Sequence, residues 1–241
     1  VREDRSRTSL NLPGRQEELL KAVCATGKPV VLVLLDGRAS SINYAAAHVP
    51  AILHAWFPGE FCGQAVAEAL FGDYNPGGRL AVTFPKSVGQ IPFAFPFKPG
   101  SDESSSTSVY GVLYPFGHGL SYTTFSYGDL KISPLRQGVQ GDINISCKIK
   151  NTGKIKGDEV VQLYLRDEVS SVTTYTKVLR GFERISLEAG EEQMVHFRLR
   201  PQDLGLWDKN MNFRVEPGKF KVMIGSSSTD IRLHGRFEIA P

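Results

Sequence analysis

The sequence lacks the features that mark several common classes of protein. No apolar run reaches the ~18 residues that a membrane-spanning helix needs. Cys24, Cys62 and Cys147, the only three cysteines, are far apart, so their spacing fits neither a disulfide framework nor a set of metal ligands. The five histidines are equally scattered. We therefore expect no metal site and no cofactor.

Neither the charge nor the first residues point to a nucleic-acid ligand or a targeting segment. The net charge is only +3, and the lysines and arginines are spread along the chain rather than clustered on one segment. The chain begins at Val1 and continues with the charged run Arg2-Glu3-Asp4-Arg5, which is neither a methionine start nor a signal peptide. The sequence thus predicts a cut made inside a longer protein.

The first 97 residues alternate between helix and buried-strand patterns, which is typical of an α/β layer. We expect a first helix that is capped by Ser9 or Asn11 and ends at Gly27. The remaining elements are predicted in the order strand 29–35, helix 42–47, strand 51–56, a helix that ends at Gly72, and a third strand, 80–84. Because three strands make a thin sheet, we expect further strands upstream of Val1.

From about residue 128 the apolar residues recur at every second position. Ile143, Ile145, Cys147 and Ile149 alternate with polar residues, and similar runs occupy 195–200 and 219–224. Turn signals separate these runs, which is the pattern of an antiparallel β-sandwich. The serine-rich stretch 98–109 predicts a linker. Gly117-His118-Gly119 has no strand before it and no helix after it, so it does not predict a nucleotide loop.

Several segments resemble three-domain family 3 glycoside hydrolases of the β-glucosidase type. In the first half these are TGKPVVLV (26–33), AWFPG (55–59), ALFGDYNP (69–76), LAVTFPKSVGQ (80–90) and YPFGHGLSYTTF (114–125). In the second half they are NTG (151–153), GDEVVQLY (157–164) and LRGF (179–182). The resemblance covers nearly the whole chain, and the segments occur in the family's order.

The resemblance implies the fold and the domain boundaries. Residues 1–97 would form a partial α/β sandwich of three layers with a mostly parallel sheet, and residues 98–127 a linker. Residues 128–241 would form an all-β, fibronectin-III-like sandwich of the immunoglobulin type. The family places a (β/α)₈ barrel before these domains, and that barrel is not in this sequence.

The resemblance also implies retaining hydrolysis of β-glycosides, with an aspartate nucleophile on the barrel and a glutamate acid/base on the α/β domain. Glu3 is the candidate acid/base, because Arg7 follows it four residues later and Leu12-Pro13 begins the family's helix start. Arg2 stands where glycine or histidine is more usual. Considered on its spacing alone, Glu3 is better explained as a solvated charge beside Asp4. Arg7 is a candidate supporting residue that orients the loop or holds Glu3 ionised, or else it is a surface arginine.

Other polar and aromatic residues are assigned structural roles. Asp36 follows an apolar strand, where α/β proteins often place functional groups, but we expect it to form a turn. Trp56 could stack on a sugar ring, but we expect it to pack in the core or between domains. The pair Asp158-Glu159 is interpreted as a solvated charge cluster. We identify no convergent polar or aromatic set in the sandwich, and therefore expect it to act as a brace.

The full-length protein is thus expected to be a β-glucosidase. The alternative for the enzyme is a β-xylosidase of the same family, and the alternative for the isolated fragment is a non-catalytic scaffold or carbohydrate-binding module. Its expected partners are a β-glucoside or related oligosaccharide and the N-terminal barrel, with no nucleic acid and no membrane, and homo-oligomerisation is left open. The 241 residues alone are expected to be inactive. The resemblance implies a periplasmic or secreted bacterial enzyme.

Overall fold

The computed structural model describes residues 7–92, 95–101 and 109–241. These residues divide into two compact units. The first unit takes its described residues from 1–74, 82–94 and 103–115, and the second from 75–81, 95–102 and 116–241. Short stretches on either side of the serine-rich segment therefore belong to different units.

The first unit contains three α-helices and a two-stranded parallel sheet. In chain order its elements are α1 (Gln16–Cys24), β1 (Val31–Leu34), α2 (Asn43–His48), β2 (Ala51–His54), α3 (Cys62–Phe71) and a 3₁₀ turn (Val88–Gln90). The strands pair in register from Val31 opposite Ala51 to Leu34 opposite His54. The predicted helices and the first two strands are confirmed, and the α/β character of this half follows from them.

The caps of the helices differ in part from the prediction. Arg15 precedes α1 and makes no capping hydrogen bond through its side chain, so Ser9 and Asn11 do not cap this helix. Glu17 and Glu18 lie instead in the first turn, where their negative charges interact favourably with the positive end of the helix dipole. Gly72 ends α3 with a φ of 87°, a conformation that glycine adopts without strain.

The predicted third strand, 80–84, is wrong. Phe84 forms only an isolated bridge with Tyr114, and the rest of the segment is irregular. The backbone of Leu80 exchanges hydrogen bonds with Gly117 and His118, at 2.7 and 2.8 Å. These partners satisfy the backbone groups that an apolar run would otherwise offer to a neighbouring strand.

The second unit is a β-sandwich, as its period of two predicts. Its strands are β3 (Phe125–Ser133), β4 (Arg136–Gly138), β5 (Ile143–Asn151), β6 (Gly157–Asp167), β7 (Val178–Leu187), β8 (Glu192–Leu199), β9 (Leu206–Trp207), β10 (Phe213–Arg214), β11 (Gly218–Gly225) and β12 (Ile231–Ala240). A short helix, α4 (Pro201–Leu204), lies between β8 and β9. One sheet has the order β4-β12-β11-β6-β7, the other has the order β3-β5-β8, and β9 and β10 form a separate hairpin.

The alternating apolar residues of this unit form one core. The predicted inward residues of β5, Ile143, Ile145, Cys147 and Ile149, are at most 1% exposed. Burial raises the pKa of the Cys147 thiol to about 11. All three cysteines are free, with Cys147 buried and Cys24 and Cys62 half-buried.

One acidic residue that was expected to be solvated lies inside the sandwich. Glu159 is 2% exposed, and its carboxylate accepts a hydrogen bond of 2.8 Å from Nη2 of Arg79. Its neighbour Asp158 is only partly buried and pairs with the more exposed Arg184. The two acids of the pair therefore face different environments, because successive residues of a strand point to opposite faces.

Candidate functional site

The segment that follows the candidate acid/base is anchored to the α/β unit. The Nη2 atom of Arg7 donates a hydrogen bond of 2.6 Å to the carbonyl of Asn11. The amide of Asn11 in turn donates to the hydroxyl of Ser9, and the carbonyl of Leu10 accepts a hydrogen bond of 2.9 Å from the amide of Ser41. Residues 7–11 thus form a turn whose position is fixed by local bonds and by the chain just before α2.

Glu3 lies outside the described residues, so its role stays a prediction. Arg7 is half-buried, and its guanidinium bonds a backbone carbonyl four residues ahead. This contact orders the turn at residues 7–11, and the loop-orienting role of Arg7 stays a prediction. The other predicted role, holding Glu3 ionised, rests on a residue that is not described.

The carboxyl ends of β1 and β2 bring three side chains to one edge of the sheet. Asp36 follows β1, His54 ends β2 and Trp56 lies two residues beyond. Asp36 accepts a hydrogen bond from the hydroxyl of the buried Ser40, which supports the turn-forming role predicted for it. This edge is where parallel α/β sheets commonly place their functional groups.

His54 is a polar residue that the sequence reasoning missed. Both ring nitrogens are buried and have no hydrogen-bond partner among the described residues. Burial lowers the pKa of its imidazole, and the carboxylate of Asp36 opposes this effect. The ring is therefore neutral near pH 7. Its position at a strand end was the signal available in the sequence, and the scatter of the histidines along the chain obscured it.

Trp56 packs within the α/β unit. Its ring centroid lies 4.3 Å from that of His54 and 6.0 Å from that of Phe84, and both contacts are edge-to-face. Trp56 also has a φ of 52°, which is unusual for a residue with a side chain. These contacts support the predicted packing role.

The residues that the structure describes form neither a metal centre nor a membrane-spanning helix. The described ranges contain no group of three or more histidine, cysteine, aspartate or glutamate side chains that could hold a metal ion. Within the same ranges no helix has both the length and the apolar character to cross a membrane.

An α/β unit followed by a fibronectin-like sandwich is the architecture that the sequence resemblance implied. A model of the glycosyl hydrolase family 3 C-terminal domain matches residues 1–122, and a model of the fibronectin type III-like domain matches residues 159–228. The chain belongs to glycoside hydrolase family 3, and it carries the family's C-terminal α/β sandwich domain and a fibronectin type III-like domain.

Relatives and solved structures agree with this assignment. The chain is 45% identical to a β-xylosidase of Formosa agariphila over 92% of its length, and 41% identical to a periplasmic β-glucosidase of Salmonella typhimurium over 97%. A β-glucosidase structure from Erythrobacter marinus covers the whole chain with a TM-score of 0.93 and 42% identity. A β-glucosidase from Listeria innocua in complex with glucose covers 98% with a TM-score of 0.90 and 33% identity.

The chain spans about a third of the length of these relatives. It covers 31% of the Formosa protein, 32% of the Salmonella protein, and 32% and 34% of the two solved chains. The relatives are therefore much longer proteins of the same family.

Proposed function

We propose that the chain is the C-terminal part of a retaining β-glycosidase that removes terminal, non-reducing β-D-glucosyl residues, and that Glu3 is its general acid/base. The observation that carries the proposal is the family match over residues 1–122, which includes Glu3 and the four-residue step to Arg7. The anchored turn at residues 7–11 supports it, because a proton-transferring group needs a fixed neighbourhood.

The chemistry requires two carboxyl groups with different tasks. Glu3 would protonate the leaving oxygen as the glycosidic bond breaks, and would then deprotonate the water that attacks the glycosyl-enzyme intermediate. The nucleophile would be an aspartate on an N-terminal barrel of the same protein, with its carboxyl group about 5–5.5 Å from that of Glu3. The isolated 241 residues supply only one of these two groups, and we expect them to be inactive.

A β-xylosidase is the second candidate, because the Formosa and Salmonella relatives carry the two different activities in their names at 45% and 41% identity. The glycone would be selected mainly by the barrel, so the C-terminal third does not separate the two. We also propose a periplasmic location for the protein, because the Salmonella relative is named as periplasmic.

The decisive variant is Glu3→Gln in the full-length enzyme. Loss of general acid/base catalysis should lower kcat/KM for alkyl and disaccharide β-glucosides by about 10²–10⁴-fold. Aryl glucosides with a good leaving group should retain a near-normal first step, because they need little protonation. Added azide should then restore turnover by replacing the water that Glu3 would activate.

Asp4→Asn is the matched control, because it removes the adjacent carboxylate and leaves the proposed acid/base in place. It should leave kcat/KM unchanged for both substrate classes. Equal activity of the Glu3→Gln enzyme and the wild type on disaccharides would contradict the assignment. A loss confined to Asp4→Asn would move the acid/base role by one residue.

The need for a second domain is tested separately. The 241-residue chain and the full-length protein are assayed side by side with aryl β-glucosides and aryl β-xylosides. The ratio of the two rates in the full-length enzyme decides between glucosidase and xylosidase. Turnover by the 241 residues alone would contradict the split site.

A further inference from the structure

The fibronectin-like unit carries an exposed aromatic patch that the sequence did not reveal. In the hairpin of β9 and β10, Trp207 lies directly opposite Phe213, so the two side chains share one face. Their ring centroids are 5.5 Å apart with planes at 61°. Trp207 is 58% exposed, Phe213 is 46% exposed, and Met211 in the connecting turn is 73% exposed. We call these three residues the hairpin patch.

The hairpin patch is held in place by its turn. Asp208 is 8% exposed, and its carboxylate accepts hydrogen bonds from the amides of Asn210 and Asn212, at 2.8 and 3.0 Å. The backbone closes the same turn with a bond of 3.0 Å from the amide of Asp208 to the carbonyl of Asn212. The aromatic rings are therefore presented by a preformed loop, which limits the entropy lost when a ligand binds.

Phe213 needs a glycine beside it. A Cβ atom at Gly205 would lie 2.3 Å from Cζ of Phe213, so any larger residue would displace the ring. The Phe213 ring thus packs on the backbone at Gly205 and contacts the Trp207 ring. This support leaves Trp207 as the more exposed of the two rings.

The charges around the hairpin patch cancel, because Arg214 and the exposed turn residue Lys209 are matched by Asp208 and Glu216. Arg214 points away from the patch face, because it pairs with Leu206 in the hairpin. Its guanidinium lies 3.6 Å from Asp208 and 3.9 Å from Glu216. The exposed turn residues Asn210 and Asn212 carry amides, which both donate and accept hydrogen bonds.

The size of the hairpin patch suits a small ligand better than a protein. At roughly 200 Å² for a whole large side chain, the three residues expose on the order of 350 Å². This value is within the range of patches that are often functional. It is well below the ~800 Å² that each partner of a stable protein complex usually buries.

From these features we infer that the hairpin patch binds a neutral β-linked oligosaccharide, with a pyranose ring stacked on Trp207. The apolar C–H face of a pyranose matches an exposed aromatic ring, and its hydroxyls match the amide groups of Asn210 and Asn212, which donate and accept hydrogen bonds. The choice of a β-linked glucan rests on the proposed function. The hairpin patch also corrects the expectation that the sandwich contains no convergent aromatic set.

The experiment uses the only two tryptophans of the chain. A Trp56→Phe substitution in the 241-residue chain leaves Trp207 as the sole tryptophan fluorophore. Titration with cellohexaose should give a saturable blue shift with a Kd of about 1 mM, as expected for one small stacking surface. Sorbitol at the same mass concentration should give none.

Affinity electrophoresis in gels that contain soluble barley β-glucan tests the residues. The unmodified chain should be retarded, Trp207→Ala should weaken the retardation at least tenfold, and Phe213→Ala should weaken it less. Phe182→Ala is the matched control, because Phe182 is 65% exposed on the edge strand β7 of the same unit. It should migrate like the unmodified chain. Melting curves of the Trp207→Ala and Phe182→Ala chains should coincide with that of the unmodified chain, because both side chains are more than half exposed.

The outcomes separate this inference from the proposed function. Glu3→Gln should leave the retardation unchanged, and an inactive parent enzyme would not alter it. The absence of a saturable shift, normal retardation of Trp207→Ala, or equal loss in Phe182→Ala would overturn the hairpin patch as a sugar site. Self-association that Trp207→Ala abolishes, with no effect of glucan, would identify a second copy of the chain as the occupant and would also overturn it.

Discussion

The buried pair Arg79–Glu159 offers a sharp test of the forces within the sandwich unit. The two side chains are 7% and 3% exposed, and Nη2 of Arg79 lies 2.8 Å from Oε1 of Glu159. The same carboxylate oxygen accepts a hydrogen bond of 2.8 Å from the amide of Val160. Arg79 also donates to the carbonyl of Gly78 at 3.1 Å. Glu159→Gln keeps the shape and one acceptor but removes the negative charge.

The expected loss follows from the burial of both charges. At 2.8 Å and an effective dielectric constant of about 20, the Coulomb attraction is about 6 kcal/mol. Desolvation offsets much of this attraction in the intact pair, but the variant leaves Arg79 charged, buried and without its counter-ion. We expect Glu159→Gln to lower the free energy of unfolding by about 3–5 kcal/mol. The double variant Arg79→Met/Glu159→Leu should recover most of this loss, because no uncompensated charge remains.

Urea unfolding in the Trp56→Phe background measures the effect, because Trp207 then reports the sandwich alone. Asp158→Asn is the control, since Asp158 neighbours Glu159 on the same strand but pairs with the 52%-exposed Arg184. That variant should lose less than about 1 kcal/mol. A loss in Glu159→Gln as small as in Asp158→Asn, or a double variant less stable than Glu159→Gln, would refute this account of the pair.

Two further predictions concern the sandwich. Burial raises the pKa of Asp167 to about 6. Because the carboxyl group is easier to protonate in the folded state, its contribution to stability is fully present below the unfolded pKa of about 4. That contribution is lost as the pH rises from about 4 to about 6. Asp167→Asn should therefore stabilise by about 1–2 kcal/mol near pH 8, after discount for partial exposure, and by nothing near pH 4. Glu168→Gln, which removes the negative charge beside Arg236, should give no such gain in the same pH-dependent unfolding series. Asn151 is 0% exposed, and its amide bonds Thr123, Gly153, Ile155 and Leu187. Asn151→Asp should lower the free energy of urea unfolding by about 3 kcal/mol or more, because it buries a charge and removes two donors. Asn144→Asp, on the exposed face of β5, should change it by less than about 0.5 kcal/mol, and equal losses would contradict the hydrogen-bond argument.

Local patterns carried most of the fold prediction. The alternation of apolar residues in β5 and β11 predicts which side chains face the core. The helical spacing of apolar residues before Gly72 predicts α3. The third strand failed because an apolar run at 80–84 does not say where its backbone partners are. In the structure they belong to residues 114–118, about 35 positions later in the chain.

The functional residues were harder to predict than the fold, because several of their contacts join residues that are far apart in the sequence. Glu3 could be named only through the spacing that it shares with a family. Arg79 and Glu159 are 80 positions apart, and a charge beside another charge in sequence is usually solvated. The Trp207–Phe213 contact depends on the register of a five-residue turn, which composition does not encode. His54 was not singled out from the sequence, because it ends a segment with an ordinary strand pattern.

The position of Cys147 gives the sandwich a built-in chemical reporter. The thiolate is the form that attacks thiol reagents, and Cys147 is both buried and resistant to ionisation. Cys24 and Cys62, in the α/β unit, are partly accessible. Their labelling can be completed or blocked first, so that later modification at Cys147 counts each opening of the β-sandwich under native conditions.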